Sequence, residues 1–346
     1  MATTNFPNGV SSFGVPVLPP AGQAFTGKVF FVAPGAANAS DGNRGDSLSA
    51  PLATLYKAHS LMTSGNNDVC YLVGNGAASG SARLSLANAQ AVDSTASTGT
   101  LTWSKDACHL IGIAAPTNVA QRARIAPPSG TYTQATFGSG NFIVVSGNGC
   151  LFQNLSIFNG FSTGGTNQIA LTVSGGRNAF VNVNIGGMGD AASAQDTGSR
   201  SLLLSGSTGE NLFSNCTVGL DTVTRTVANA SLEFAGGTPR NTFANCIFPF
   251  QTSAATVLGI IVSAAAGSDR WQKFDRCTFI NNVKSTSTTM SGLSTLAASQ
   301  GGLHLHKDST LVGITEYGTD ATSRGQIYID GGTVTAATSG IAVNPT

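Results

Sequence analysis

An all-β solenoid of stacked parallel coils is the fold class that this sequence predicts, and three observations predict it. The first is a phrase, Phe-x-Asn-(Cys or apolar)-x-apolar. It reads FQNLSI from Phe152, FVNVNI from Phe180, FSNCTV from Phe213, FANCIF from Phe243 and, with Arg in place of Asn, FDRCTF from Phe274. The steps are 28 residues (152 to 180), 33 (180 to 213), 30 (213 to 243) and 31 (243 to 274), a period that marks coils stacked on one another. The second is an alternating strand ahead of each phrase: FIVVSG, IALTVSGG, SLLLSG, ASLEFAGG and GIIVSA. Parallel coils that bury strands on their inner face only produce this alternation, with Ile143/Val145, Leu171/Val173, Leu202/Leu204, Leu232/Phe234 and Ile260/Val262 as the inward pairs. The third is a break in alternation inside the phrase. Phe213, Cys216 and Val218 can all point inward only if the chain bends at Asn215, and Asn tolerates a left-handed backbone better than any residue except Gly. Asn154, Asn182, Asn215 and Asn245 are therefore predicted to stack as a ladder at one corner of a prism.

Residues 1–27 are rich in Pro, Gly and Phe and show neither helical nor strand periodicity, so they are read as an extended N-terminal arm ahead of a solenoid over 28–346. Phe6, Pro7, Phe13 and Val17 cannot form a core of their own there, which makes them candidate anchors on a neighbouring subunit. KVFFVAPG from Lys28 reads as a strand, and after a polar loop Pro51 is expected to open a helix. Leu52, Leu55, Tyr56 and His59 fall on one face of that helix, which would cap the first coil and hide an open sheet edge. DVCYLVGNG and CHLIGIAAP supply the first coils, the polar stretch from Ala77 to Thr100 reads as an insertion between them, and LHLHKD and IYIDGG continue the pattern to a closing TVTAATSGIAVNPT.

Only 10% of the 346 residues are charged and the net charge is +1. The surface of a free monomer is commonly about 25–35% charged, so other subunits are expected to cover much of the outside, with a homo-oligomer, a trimer among the options. No basic patch points to nucleic acid, no run of about 18 apolar residues points to a membrane, and the amino terminus lacks the pattern of a secretion signal. Six cysteines are present, and Cys216, Cys246 and Cys277 hold one position in three successive phrases, which reads as a column of reduced core thiols. No CxxC spacing supports zinc, and no cofactor is implied.

The FxNCxF phrase, the Asn corner, and the opening run of FFVAPG, a Gly/Asp-rich loop, PLATLYKA and VCYLVGNG resemble the right-handed parallel β-helix of the pectate-lyase-like superfamily. The resemblance implies a single-stranded right-handed parallel β-helix over roughly 28–335. It does not choose an activity, because the superfamily holds lyases, hydrolases, bacteriophage tailspikes and structural virion proteins. NFPNGVSSFGVPVLPP looks like the N-terminal segment of tailed-bacteriophage structural proteins. Together the resemblances imply a virion protein made in the host bacterial cytoplasm: a capsid decoration or cement protein on the particle surface, contacting the major capsid protein or other virion subunits. The alternative is a tailspike or receptor-binding protein that depolymerises a host surface glycan.

Glycan cleavage on such a scaffold needs two or three carboxylates on one outer face, or a calcium-binding Asp cluster with a cationic base. The surface acids are Asp190, Asp196, Glu210, Asp221 and Glu233, and none recurs at another's coil position. Asp221 and Glu233 are the catalytic pair under the depolymerase alternative alone; Glu233, between inward Leu232 and Phe234, is expected to face solvent. His304 and His306 flank inward Leu305 two residues before Asp308, a spacing that metal chelation tolerates but that fits solvated or interface histidines better. Trp103 and Trp271 could stack on sugar, although single tryptophans on a solenoid are usually packing residues.

Overall fold

A computed structural model of the chain describes residues 26–74, 100–113, 117, 123–126, 140–160, 167–255, 257–262, 266–282, 288–297, 301–306 and 308–329, together with the short strands Ser11–Ser12, Val15–Pro16 and Arg83–Leu84. Three parallel sheets run along the molecule, one of ten strands and two of eight. The first sheet begins with Val29–Val32, Val69–Val73 and His109–Ile113, takes in the strand of each Phe phrase, and ends with Leu303–Leu305 and Ile327–Ile329. The second starts at Arg83–Leu84 and Arg124–Ile125 and continues through the apolar end of each phrase. The third holds Leu101–Trp103 and the alternating strands from Asn141–Val145 to Ile314–Gly318. Each coil visits the three sheets in that order, as the period requires.

The register is the predicted one. Phe152, Phe180, Phe213, Phe243 and Phe274 are paired position for position and are at most 2% exposed. Their rings stack nearly parallel at centroid spacings of 4.9, 4.6, 4.7 and 4.9 Å. That spacing is the distance between neighbouring strands, so the sheet itself sets the ring separation. Phe248 and Phe279 add a second stacked pair at 4.6 Å from the second sheet, and Phe248 meets Phe243 edge-on. The predicted inward pairs of the third sheet are all buried.

The Phe strands enter and leave through left-handed residues. On the exit side φ is 54° at Asn154, 56° at Asn182, 53° at Asn215, 53° at Asn245 and 50° at Arg276, as the break in alternation requires. Asn182 Nδ2 donates to Asn154 Oδ1 at 2.8 Å, and Arg276 Nε donates to Asn245 Oδ1 at 2.9 Å. The entry side has its own left-handed column, at Asn67, Ala107, Gly149, Arg177, Glu210 and Arg240, with φ between 47° and 66°. Asn178, Asn211 and Asn241, the residues that follow Arg177, Glu210 and Arg240, form a buried polar ladder together with Gln272. Each side-chain carbonyl accepts from the backbone N–H one coil earlier: Cys150 N at 2.8 Å, Asn178 N at 3.0 Å, Asn211 N at 3.1 Å and Asn241 N at 3.2 Å. The amide of Asn211 donates back to Gly175 O at 3.3 Å, where a Cβ on Gly175 would sit 2.0 Å from Gly147 O. Only a glycine lets successive turns approach that closely.

Three expectations need correction. The helix spans Leu55–Leu61 rather than opening at Pro51, because Thr54 is its N-cap and Asp41 Oδ1 accepts from the N–H groups of Ala53 and Thr54. Leu52 instead bridges Val32 and is fully buried. The helix does pack into the first coil through Leu55 and Ala58, and its last carbonyls, at His59, Ser60 and Met62, accept from Lys105 Nζ at 2.6–2.9 Å. Second, the stretch 77–100 is not all insertion: its strand Arg83–Leu84 pairs with Arg124–Ile125 and begins the second sheet, while 77–82 and 85–99 lie outside the described residues. Third, burial is not confined to the inner face, since Val69, Ile111 and Leu151 lie on the outer face of the first sheet and form a second buried apolar cluster. Within 1–27 the described residues include Ser11–Ser12, paired antiparallel with Val15–Pro16. Phe6, Pro7, Phe13 and Val17 lie outside the described residues, as does the closing segment from residue 330.

Candidate functional site

The outward positions of the third sheet carry the acid on which a depolymerase reading would rest. Leu203, Glu233 and Ile261 stand in register on successive strands. Glu233 occupies an outward position, but it does not face solvent: its side chain is 14% exposed and its Oε2 accepts from Arg200 Nε at 2.7 Å. Arg200, 9% exposed, is held in place by Nη1 donating to Thr197 O at 2.7 Å and Ser199 O at 2.8 Å. A carboxylate closed into such a pair has no open side for a glycosidic oxygen or an attacking water. Asp221 is half-buried in the bend that follows Val218, between the second and third sheets, and so stands off the sheet position that Glu233 occupies.

The other acids are spent on local structure. Asp190 caps the short helix Ala191–Ala194, accepting from Ala192 N at 2.8 Å. Asp196 Oδ2 accepts from Asn167 N at 2.7 Å and Ser199 Oγ at 2.6 Å. Glu210 sits between Arg177 at 2.9 Å and Arg240 at 3.1 Å, one cation on the coil before and one on the coil after.

The histidine pair is not presented as one strand face. The strand ends at Leu305, so His304 projects beside Lys273 and Tyr328 of the neighbouring strands, while His306 lies past the end. His306 Nδ1 is 3.8 Å from Asp275 Oδ1 and 3.7 Å from Asp308 Oδ2. Among the described residues no group of three or more His, Cys, Asp or Glu is arranged to hold a metal ion.

Trp103 is fully buried, donating from Nε1 to Cys108 O at 2.9 Å and meeting Phe152 edge-on, whereas Trp271 is 44% exposed. His59 packs on Trp103 at 4.8 Å; burial, with Lys105 beside it, lowers its pKa to about 4. Cys216, Cys246 and Cys277 are buried free thiols in one column, their Sγ–H groups donating to Phe180 O, Phe213 O and Phe243 O at 3.3–3.5 Å. Cys70, Cys108 and Cys150 are likewise buried and free. Burial pushes the thiols of Cys108 and Cys150 up to about 11 and about 12, which leaves neither as a reactive thiolate.

The buried ladder at Asn178, Asn211, Asn241 and Gln272 went unread in the sequence. Its signal was there, an amide side chain two residues ahead of each Phe in NAF, NLF, NTF and QKF.

No protein-family model matches the chain, and no curated protein matches its sequence. Solved structures do match its fold. Pectin methylesterase PemA from Erwinia chrysanthemi superposes with a TM-score of 0.55 at 16% identity, covering 91% of this chain and 92% of its own. Pectate lyase Pel9A gives 0.53 at 14% identity, covering 87% of this chain and 74% of its own. A pectin methylesterase in complex with hexasaccharide VII gives 0.52 at 16% identity, covering 91% and 92%. At such identities the likeness establishes architecture alone, and the architecture is a right-handed parallel β-helix.

Proposed function

We propose that the chain is a structural protein of a bacteriophage virion, a decoration or cement protein on the capsid surface. One observation carries the reading: the outer acids hold neighbouring coils together instead of converging on a cleft. Arg200–Glu233 and Arg177–Glu210–Arg240 each tie one coil to the next, so the charged exterior acts as bracing. A rigid rod of this kind, with 10% charged residues, suits a part that is covered by its neighbours. The resemblance of the N-terminal segment to those of tailed-phage structural proteins supports attachment through the arm, with Phe6, Pro7, Phe13 and Val17 as anchors and the major capsid protein as partner. Deleting residues 1–20 is expected to move thermal unfolding little and to reduce incorporation into particles sharply. Wild-type occupancy of the truncated protein on virions would remove the arm from the reading.

The likeness to carbohydrate-acting enzymes favours a second reading, a tailspike that cleaves host glycan. Glycan cleavage that vanishes on joint replacement Asp221→Asn and Glu233→Gln would establish it over the first.

A further inference from the structure

The segment between the second and third sheets holds a buried cation with no counter-ion among the described residues. Arg225 is 2% exposed and its backbone is fixed to the next coil, its N–H donating to Gln251 O at 2.8 Å and its carbonyl accepting from Ser253 N at 3.0 Å. The guanidinium lies over the Phe250 ring at 5.2 Å, and Nη1 donates to Asn229 Oδ1 at 3.1 Å. Nε and Nη2 are buried without a hydrogen-bond partner among the described residues. Burial first, and then the like charge of Arg200, lower the pKa of Arg225 to about 9, so the group is cationic at neutral pH. Arg200 is already matched by Glu233 at 2.7 Å. The local inventory is therefore two guanidinium groups to one carboxylate.

A buried guanidinium left in that state is strongly unfavourable, and the Phe250 ring face relieves its charge without accepting its two orphaned N–H bonds. We infer that the Nε/Nη2 edge of Arg225 binds a small monovalent anion of the chloride class. Nε–H and Nη2–H point the same way, and this fork takes an anion through two parallel bonds. With the anion in place, two positive charges face two negative ones. The inference is independent of whether the rod stands on a virion.

Crystals grown in bromide test it. An anomalous peak on the Nε/Nη2 edge of Arg225 is expected, as is a Tm that rises by about 2 °C per tenfold increase in chloride at constant ionic strength, with gluconate, too large to enter, as the balancing anion. Arg225→Met should abolish both effects. Because that variant could fail to fold, Asn229→Asp decides separately: Asn229 Oδ1 already accepts from Arg225 Nη1 at 3.1 Å, so a carboxylate there balances the charge of Arg225 in the ion's place, and the bromide peak and the chloride dependence should both vanish. Water alone on that edge in bromide crystals, or a chloride dependence unchanged in Asn229→Asp, overturns the site.

Discussion

The two bends that flank each Phe strand have the same backbone geometry and opposite chemistry. In both, a left-handed residue turns its N–H along the axis to the next coil, as Asn182 N does to Ser214 O at 2.9 Å on the exit side and Arg177 N to Gly209 O at 2.8 Å on the entry side. At four of the five exit bends the residue that bends is itself Asn and is partly exposed, so conformation and side-chain bonding reside in one residue. On the entry side the bending residues are as unlike as Ala107, Arg177 and Glu210, and the hydrogen bonding has moved one residue on, to Asn178, Asn211 and Asn241 in the interior. A bend whose strain and satisfaction lie on the same residue tolerates change. A bend that delegates satisfaction to a buried neighbour does not.

The largest expected effect follows directly. Asn211→Ala removes the acceptor of Asn178 N and the donor to Gly175 O and Asn241 Oδ1, all inside the core, and should cost about 3 kcal/mol or more, since each orphaned buried group costs about 1–3 kcal/mol. Asn215→Ala, at the matching place on the exit side, should cost only about 1–2 kcal/mol, the left-handed penalty that the polar side chain of Asn offsets and that of Ala does not. Denaturant midpoints of the two variants measure the gap, and equal losses would erase the distinction drawn between the bends.

The same contrast explains what was legible. The exit bend could be read because the residue type that prefers the conformation occupies it, and because an odd spacing between two inward residues forced a bend there. The Phe stack and the third-sheet register were legible for the same reason: period and alternation are properties of the chain alone. The entry bend was hidden, since nothing about Arg177 or Glu210 advertises a left-handed backbone. Glu233 was half legible. Alternation placed it correctly on the outward side, yet its closure depends on Arg200, which is 33 residues away in sequence and one coil away in space. The helix start was missed because Leu52 satisfies the helical spacing equally well from an extended bridge to Val32.

A pH series sharpens the comparison at the N-terminal end of the entry bend. His109 is 3% exposed; its Nδ1 accepts from Leu151 N at 3.0 Å, so its Nε2 carries the proton and donates to Asn67 Oδ1, at the left-handed residue of the preceding coil. Burial outweighs the nearby Asp68 and lowers its pKa to about 4, and His59 stands at about 4 as well. Between their ordinary value near 6.5 and 4 the unfolded chain takes up these protons and the folded chain does not, so stability should fall as pH drops through that window. His109→Gln should flatten part of the slope in a series of urea midpoints. A slope identical to wild type would mean that this bend is not where the protons act.

The smallest effect tests whether the bends are strained at all. Ala107 holds φ at 47° and Arg276 at 50°, and neither side chain favours that region. Ala107→Gly relieves the clash of Cβ with the backbone, although glycine also gains freedom in the unfolded chain, so the two terms partly cancel. Arg276→Asn restores the residue used at the other four exit bends and keeps an amide donor for Asn245 Oδ1, which now accepts from Arg276 Nε at 2.9 Å. Its ion pair with Asp275 at 3.2 Å is half exposed and contributes little against this gain. Both variants are therefore expected to be more stable than wild type, by about 0.5–1 kcal/mol, with Arg276→Asn the larger because no glycine entropy opposes it. Thermal midpoints that fall in both would show that the coil stacking, rather than residue preference, sets the left-handed conformation without strain, and the contrast between the two sides would then rest on the buried amide ladder alone.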